Sequence, residues 1–304
     1  MAIISPKYKL SVRLMTYMHE SFVNQAMDGI MMQKTDFKIE VVVGDDFSTD
    51  RTLEIIKSYK NTESIDVKIL KREKGDEYWR KRQKLGRLYN FTNILENCTG
   101  KYIALLDGDD YWTDPLKLQK QLDFLEGNEG YSMCFHRVQL LINEKLEKDT
   151  ITRKVPQTTS TSDLLKGNFI HTPSVVFRNH FDEENLAFFL KSIQFSPIGD
   201  LPLHVYNSQY GKIYQIPESM AVYRLGSGIW SVKKKSERIQ STIRAYICLA
   251  AFLKTQSDFD YLYKNIEIYF HQLHKLRQPI KPNEASFKDL SKALMRKVKK
   301  KFLS

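Results

Sequence analysis

The chain has 304 residues, of which 42% are apolar and 27% charged, a composition typical of a globular protein. The length suits one large α/β domain or two small ones. Three cysteines lie far apart, at positions 98, 134 and 248. Their number and spacing argue against a disulfide framework and against a thiolate zinc site.

The first ten residues contain no apolar stretch, so the sequence predicts no signal peptide. The longest dense apolar run, residues 245–253, is about half as long as a bilayer crossing requires. We therefore expect a cytoplasmic protein that does not span a membrane.

The net charge of +11 comes entirely from one end of the chain. Residues 233–304 contain 17 Lys and Arg against 6 Asp and Glu, whereas residues 1–232 contain 30 of each. A uniformly basic chain would indicate nucleic-acid binding. A neutral body with a basic end indicates a docking appendage instead, and no nucleic-acid partner is expected.

Apolar periodicity predicts that strands and helices alternate over the first 125 residues. The predicted strands are residues 11–14, 38–44, 67–70 and 102–106, and the predicted helices are residues 21–33, 50–59, 83–96 and 114–126. This alternation favours a parallel, doubly wound sheet, in which ligands bind at the carboxyl ends of the strands. Polar clusters follow these strands directly.

The pattern becomes mixed after residue 130. Further strands are predicted at residues 132–141, 174–177, 213–216 and 220–224, and residues 157–163 read as a loop that enters a helix. From residue 231 the chain is predicted to be helical and basic, with a last helix at residues 286–302.

The first acidic cluster consists of Asp107, Asp109 and Asp110, directly after the apolar strand at residues 102–106. Three neighbouring carboxylates repel one another, so the cluster costs stability unless a cation offsets it. Oxygen ligands at a strand end suit Mg²⁺ or Mn²⁺ shared with substrate phosphates. The alternative is a solvated turn that caps the next helix.

A second acidic pair, Asp45 and Asp46, follows the predicted strand at residues 38–44. A carboxylate at this point could accept a hydrogen bond from a nucleobase or a ribose hydroxyl. A polar turn with helix capping is the alternative interpretation.

Three blocks together resemble family 2 glycosyltransferases: TYMHE at residues 16–20, VVGDDFSTDRT at residues 42–52 and GKYIALLDGDDYW at residues 100–112. The resemblance extends over residues 8–231. It implies an A-type glycosyltransferase fold, with residues 1–231 as the catalytic domain. Residues 1–125 would be its nucleotide-binding half and residues 126–231 its acceptor half, and residues 232–304 would be a helical basic extension.

The resemblance also implies roles for individual residues. Asp46 would bind the base, beside Thr16, Tyr17 and Glu20 of the first block. Asp107 and Asp109 would hold Mn²⁺ or Mg²⁺, and Asp110 would contact the ribose or the metal. Arg224 is not followed by the histidine that is frequent in the family, which leaves a third metal ligand open.

Two further positions are candidates. Asp200, in the block IGDLPL, resembles the aspartate in the segment that carries the family's general base. A carboxylate suits this role because it can take the proton of the attacking hydroxyl. The alternative is a helix cap. Arg87 lies in a basic stretch and is a candidate for the donor diphosphate, since a guanidinium matches phosphate bidentately. The alternative there is a solvated helix face.

The function implied by the family is transfer of a sugar from a nucleoside-diphosphate sugar, with UDP as the default carrier, to an acceptor hydroxyl with inversion. The acceptor would be a saccharide or a lipid-linked saccharide in cell-surface polysaccharide or lipopolysaccharide synthesis. The rivals are a sugar-phosphate nucleotidyltransferase and a basic-tailed nucleic-acid-binding module. The first would need a glycine-rich loop that residues 15–22 lack, and the second would need aromatic side chains among the terminal lysines.

The terminal basic stretch around Lys297 and Lys301 has apolar residues at helical spacing. Such a helix suits an anionic membrane surface, so we expect peripheral docking on the inner face of the cell membrane. A solvated, frayed terminus is the alternative.

Overall fold

A computed structural model of the chain describes residues 8–226 and 233–276. The strands in this part are β1 Leu10–Thr16, β2 Ile39–Asp45, β3 Ile65–Ile69, β4 Tyr102–Asp107, β5 Tyr111–Trp112, β6 Tyr131–Ile142, β7 Lys145–Lys148, β8 Thr158–Thr159, β9 Val176–Arg178 and β10 Lys212–Leu225. The helices are α1 Val23–Met31, α2 Thr52–Ser58, α3 Glu77–Leu85, α4 Leu88–Glu96, α5 Lys117–Gly127, α6 Thr161–Lys166, α7 Glu183–Ile193, α8 Asp200–Ser208, α9 Lys235–Leu249 and α10 Gln256–Leu276.

The strands form one sheet in the order β3-β2-β1-β4-β9-β6-β10-β5, with β7 beside β6 and β8 beside β10. β3, β2, β1 and β4 are parallel, as the alternating sequence pattern predicts. β9 is antiparallel to both of its neighbours, β6 and β10 are parallel, and β5 is antiparallel to β10. The second half of the sheet is therefore mixed.

Helices cover both faces of the sheet. α1, α2 and α5 pack on one face, and α4 with α6 to α10 pack on the other. β1 shows the alternation: Leu10, Val12 and Leu14 enter the first core, while Arg13 and Met15 face the second. Because both faces are covered, the central parallel strands are almost continuously apolar.

Several elements differ from the sequence prediction, which does not contain the short strands β5, β7 and β8. The helix predicted at residues 83–96 is replaced by α3 and α4, which are separated at Gly86, where φ is +74° and favours glycine. The strands predicted at residues 213–216 and 220–224 are one strand, β10, whose register shifts beside Pro217. α7 was not predicted at all.

The helical character predicted after residue 231 is confirmed for residues 235–276 by α9 and α10. Tyr246, Leu249 and Leu262 enter the same core as α8, so these helices pack as part of the main body. The domain boundary at residue 231 stays a prediction, and the helix predicted at residues 286–302 lies outside the described residues. No described helix combines the length and the apolarity that a bilayer crossing needs.

Candidate active site

The carboxyl ends of β1 and β4 meet at a tight turn in which Gly108 leaves little room for a side chain. The acidic turn (residues 107–110) begins where the Gly108 amide donates to the Met15 carbonyl at 2.9 Å. A Cβ at Gly108 would lie 2.7 Å from Thr16 Cγ2 and 2.7 Å from His19 Nδ1. The turn is therefore pressed against the block that follows β1.

Backbone and arginine contacts fix the acidic turn from two sides. Arg13 Nη2 donates to Asp107 Oδ1 at 2.9 Å. From β10, the Arg224 amide donates to Asp110 Oδ1 at 2.8 Å, and Arg224 Nε donates to the Asp109 carbonyl at 2.9 Å. β10, the last described strand along the chain, thus holds a turn that lies more than a hundred residues earlier.

The acidic turn carries negative charge that its protein neighbours do not balance. Burial raises the pKa of Asp107 and, far more, that of Asp110, and the Asp109 carboxylate raises both. Asp110 Oδ2 is buried and has no hydrogen-bond partner among the described residues. Oxygen donors with excess charge fit Mg²⁺ or Mn²⁺. Because residues 8–226 and 233–276 contain no group of three metal-ligating side chains, such an ion would also need substrate oxygens.

Asp200 is the first residue of α8. Its Oδ2 accepts a hydrogen bond from Asn168 Nδ2 at 3.1 Å, and the Leu201 amide also donates to it. Burial raises the pKa of Asp200, and Asp107 raises it further. Gly199, not Asp200, occupies the cap position of α8. The alternative interpretation of Asp200 as the cap residue therefore does not describe this helix.

Tyr223 on β10 shows that the predicted residues share one cleft. Burial raises the pKa of the Tyr223 phenol, and the carboxylates of Asp110, Asp200, Asp107 and Asp109 raise it further, in that order. These four groups come from two elements far apart in the sequence. Asp200 and the acidic turn therefore lie within electrostatic range of the same phenol.

Asp46 is engaged by two side chains of α3. Its carboxylate accepts hydrogen bonds from Tyr78 Oη at 3.0 Å and from Arg82 Nε at 2.9 and 2.8 Å, and Arg82 Nη2 lies 2.8 Å from Oδ2. The preceding Asp45 accepts from Thr16 Oγ1 at 2.9 Å and from Ser48. Asp45 thus stabilises the turn itself, whereas Asp46 anchors α3.

The other predicted nucleotide-binding residues lie around this pair. Tyr17 is 52% exposed. Asp46 raises the pKa of the Arg82 guanidinium, and Tyr17 lies close enough to Arg82 to raise it further. Glu20 Oε2 accepts from the Arg51 amide at 2.9 Å, which holds the start of α2. Arg87 is half-buried just before α4, and burial, followed by Arg82, lowers its pKa.

Comparison with known proteins decides the family. The model of glycosyl transferase family 2 matches residues 11–184, more than half of the chain. The chain belongs to glycosyltransferase family 2. An uncharacterized protein of Mycobacterium tuberculosis is 36% identical over 224 residues, which cover 73% of this chain and 60% of that protein. The matched part therefore spans less than two thirds of that relative.

Characterised enzymes resemble this family 2 glycosyltransferase more distantly. The poly(ribitol-phosphate) β-N-acetylglucosaminyltransferase TarS of Staphylococcus aureus is 28% identical over 196 residues, covering 61% of this chain and 30% of TarS. Residues 1–349 of TarS in complex with UDP-GlcNAc superpose with a TM-score of 0.59 at 18% identity, covering 86% of this chain and 73% of that one.

The mannosyltransferase PcManGT of Pyrobaculum calidifontis, in complex with GDP-Man and Mn²⁺, gives a TM-score of 0.55 at 14% identity and covers 96% of this chain and 83% of that one. At such identities these likenesses concern the fold alone. They confirm the predicted fold class, an A-type glycosyltransferase sheet followed by C-terminal helices.

Three residues of the glycosyltransferase site were not singled out from the sequence. Arg13 had a signal, since a charged residue interrupts an otherwise apolar strand. Asn168, which contacts Asp200, and Tyr223, which faces the four carboxylates, had none, because only the folded sheet brings their segments to the carboxyl end of β4.

Proposed function

We propose that this enzyme transfers a sugar from a nucleoside-diphosphate sugar, with UDP as the first carrier to test, to an acceptor hydroxyl. The observation that carries the proposal is the convergence of Asp200 with the acidic turn around Tyr223. The acceptor is a saccharide or a lipid-linked saccharide, and the pathway is cell-surface polysaccharide or lipopolysaccharide synthesis. The UDP-GlcNAc bound by TarS supports the choice of donor.

The donor nucleotide occupies the carboxyl ends of β1 and β2. The base stacks near the exposed Tyr17 ring and meets Asp46 and Arg82 as a hydrogen-bonded pair, because this carboxylate already holds that guanidinium. Arg87 contacts the diphosphate, since a partly buried guanidinium is suited to bind phosphate oxygens. The diphosphate then extends towards the acidic turn.

The leaving group is stabilised at the acidic turn. Asp107 and Asp109 hold Mn²⁺ or Mg²⁺, which when bound neutralises charge that develops on the departing nucleoside diphosphate. The Mn²⁺ and GDP-Man in the PcManGT structure support this assignment. Stabilisation of the leaving group is expected to be the largest single contribution to the rate.

Asp200 is the general base. The acceptor oxygen attacks the anomeric carbon while its proton passes to the Asp200 carboxylate, and the bond from that carbon to the diphosphate oxygen breaks on the opposite face with its electron pair. The sugar is therefore transferred to the acceptor with inversion at the anomeric carbon. A raised pKa makes Asp200 a stronger proton acceptor once it is ionised, which favours this role.

The acceptor side of the cleft is built from β10 and the segment before β9. The ring of His171 packs on Tyr223 with centroids 4.8 Å apart, and His171 Nε2 lies 3.2 Å from Asp149 Oδ2. A histidine fixed by a buried carboxylate provides a rigid wall. We place the acceptor sugar between this wall and Asp200.

The decisive experiment separates binding from chemistry. In Asp46→Ala, calorimetric titration with UDP should show an affinity loss of about 1–3 kcal/mol, because a charged hydrogen-bonding group is removed and Arg82 is released. In Asp200→Asn the UDP affinity should stay at the wild-type value, while release of UDP from a UDP-sugar falls to the background rate, since only the proton acceptor is lost.

Asp260→Asn is the matched control, because Asp260 is an exposed carboxylate on α10 that accepts a hydrogen bond from Gln256 Nε2. It should match the wild type in both measurements. A UDP-binding defect in Asp200→Asn would remove that residue from the base role. Absence of UDP binding and of nucleotide release with every nucleotide-sugar would refute the proposed function itself.

A further inference from the structure

Arg13 is a charged side chain in the middle of the sheet. It lies on β1 between β2 and β4, opposite Val42 and Leu105, and is fully buried. Transfer of a guanidinium from water to such a position is costly unless partners compensate its charge and its hydrogen bonds. A valine or isoleucine at this position would extend the apolar face of the strand without that cost.

The contacts of Arg13 compensate only part of this cost. Nη2 donates to Asp107 Oδ1 at 2.9 Å, and the guanidinium lies 4.7 Å from the centre of the Phe91 ring. Nε and Nη1 are buried and have no hydrogen-bond partner among the described residues. A buried polar group with unmet hydrogen bonds lowers the stability of the fold, so its presence on an otherwise apolar face is typical of a residue that serves function.

The same phenylalanine ring connects Arg13 to the start of α8. A Cβ at Gly199 would lie 2.7 Å from the Phe91 ring, so the backbone just before Asp200 packs directly on it. Phe91 is thus a common support for the Arg13 guanidinium and for the segment that carries Asp200. Arg13 therefore lies between the end of β4 and the first turn of α8.

The charges around Arg13 agree with this placement. Arg13 is close enough to Asp200 to act against the rise in pKa that burial causes there. His204, one turn further along α8, is also buried, and burial with help from Arg13 lowers its pKa to about 3. His204 is therefore neutral near pH 7 and adds no second positive charge.

We propose that Arg13 is a positioning residue that joins the two ends of the active site: one buried guanidinium holds Asp107 and packs on the Phe91 ring that supports the segment before Asp200. The end of β4, at the leaving group, is thereby fixed relative to the first turn of α8, at the acceptor. This inference rests on the proposed function for its catalytic meaning, but the coupling between the residues can be measured without any substrate.

The first test is a double-mutant cycle on stability. The unfolding equilibrium constants of Arg13→Met, Asp200→Asn and the double variant are measured in urea. We expect the two substitutions to be non-additive by about tenfold, because they remove opposite charges that interact. Asp258→Asn, a buried carboxylate on α10 bonded to Ser162 and Thr255, is the matched control and should be additive with Arg13→Met. Additivity of Arg13→Met with Asp200→Asn would overturn the proposal.

The second test separates positioning from folding. Arg13→Met should lose on the order of 100-fold in the rate of UDP release from UDP-GlcNAc, while calorimetry with UDP alone finds an unchanged affinity. Arg13→Lys, which restores the charge, should recover part of the rate. Lys117→Met removes another fully buried basic side chain, one that lies 4.1 Å from the Trp112 ring centre, and should keep the wild-type rate.

Equal rate losses in Arg13→Lys and Arg13→Met, or a loss that matches the unfolded fraction, would assign Arg13 to structure alone. If the wild type neither binds UDP nor releases it, the proposed function fails, and the double-mutant cycle still decides whether Arg13 couples to Asp200.

Discussion

Asp109 is the member of the acidic turn whose charge disturbs both of its neighbours, since it raises the pKa of Asp107 and of Asp110. Asp109→Ala should therefore abolish transfer without unfolding the protein, because it relieves repulsion and removes a carboxylate that we propose as a metal ligand. The Tm from calorimetry should stay the same or rise. Chelator should abolish wild-type activity, and Mn²⁺ or Mg²⁺ should restore it.

Asp123→Ala is a suitable comparison for Asp109→Ala, because Asp123 is an exposed carboxylate on α5. It should leave both activity and metal dependence unchanged. Full wild-type activity in chelator would contradict the metal assignment.

Lys117 makes stability depend on pH. Burial lowers its pKa from 10.5 to about 7, against a contact with the Trp112 ring that favours the charged form. Between these values the unfolded chain binds more protons than the folded one, so stability rises with pH across that window. Relative to Lys117→Met, the free energy of unfolding should rise by about 1 kcal/mol per pH unit between about pH 7.5 and 8.5.

Urea unfolding of the wild type and of Lys117→Met at several pH values tests this slope. Lys57→Met, which removes an exposed lysine from α2, should run parallel to the wild type. Wild-type and Lys117→Met curves that run parallel would mean that Lys117 stays charged in the fold.

At the residue scale, the sequence predicted roles for particular carboxylates but not what holds them. Asp107, Asp109, Asp110 and Asp200 all lie close enough to Tyr223 to raise its pKa, and their roles stay predictions. The contacts of Asp46 with Tyr78 and Arg82 could not be predicted, because they depend on the angle at which α3 leaves β3. Side-chain pairing between distant segments has no local sequence signal.

At the element scale, Gly199 sets the position of α8 against α4. Its φ of −105° is accessible to any residue, so the constraint is space: a Cβ would lie 2.7 Å from the Phe91 ring. Gly199→Ala should displace the first turn of α8 and with it Asp200. We expect about a tenfold loss of kcat with unchanged UDP affinity, and a stability loss of about 1–3 kcal/mol from overpacking.

Steady-state kinetics with titration of UDP measures this split. Gly127→Ala introduces the same methyl group at the end of α5, where nothing lies within 4 Å, and should leave kcat unchanged. An equal loss of UDP affinity in Gly199→Ala would show that the disturbance spreads beyond α8.

Periodicity found the central elements because each buries a face. β2 and β4 are mostly apolar and buried almost throughout, and α1 and α5 repeat apolar residues at helical spacing. The errors arose at backbone features that periodicity does not contain. Gly86 divides a continuous apolar pattern into two helices. Pro217 lies within β10 beside a register shift, and the sequence there resembles a turn.

At the scale of the whole molecule, the excess of positive charge lies in residues 233–304. Residues 292–304, which are outside the described part, carry six cations beside the apolar residues at 295, 298, 302 and 303. We propose that they dock the enzyme on anionic membrane, since each cation near such a surface contributes about 1 kcal/mol. The intact chain should co-sediment with phosphatidylserine vesicles at low salt and be released at high salt.

Neutral vesicles and a chain that lacks residues 292–304 are the comparisons, and neither should sediment. If the intact chain stays in the supernatant with anionic vesicles at low salt, the basic end has another role.

The contacts of β10 determine when the active site can form during synthesis of the chain. Arg224 Nε reaches back over 115 positions to the Asp109 carbonyl. At synthesis rates of roughly 5–20 residues per second, on the order of ten seconds pass between translation of the acidic turn and translation of the strand that fixes it. Once β6 has been translated, the nascent chain lacks the strand β10 that later pairs with it. A ribosome that stalls before residue 225 therefore holds a chain with its acidic motif complete and its catalytic geometry absent.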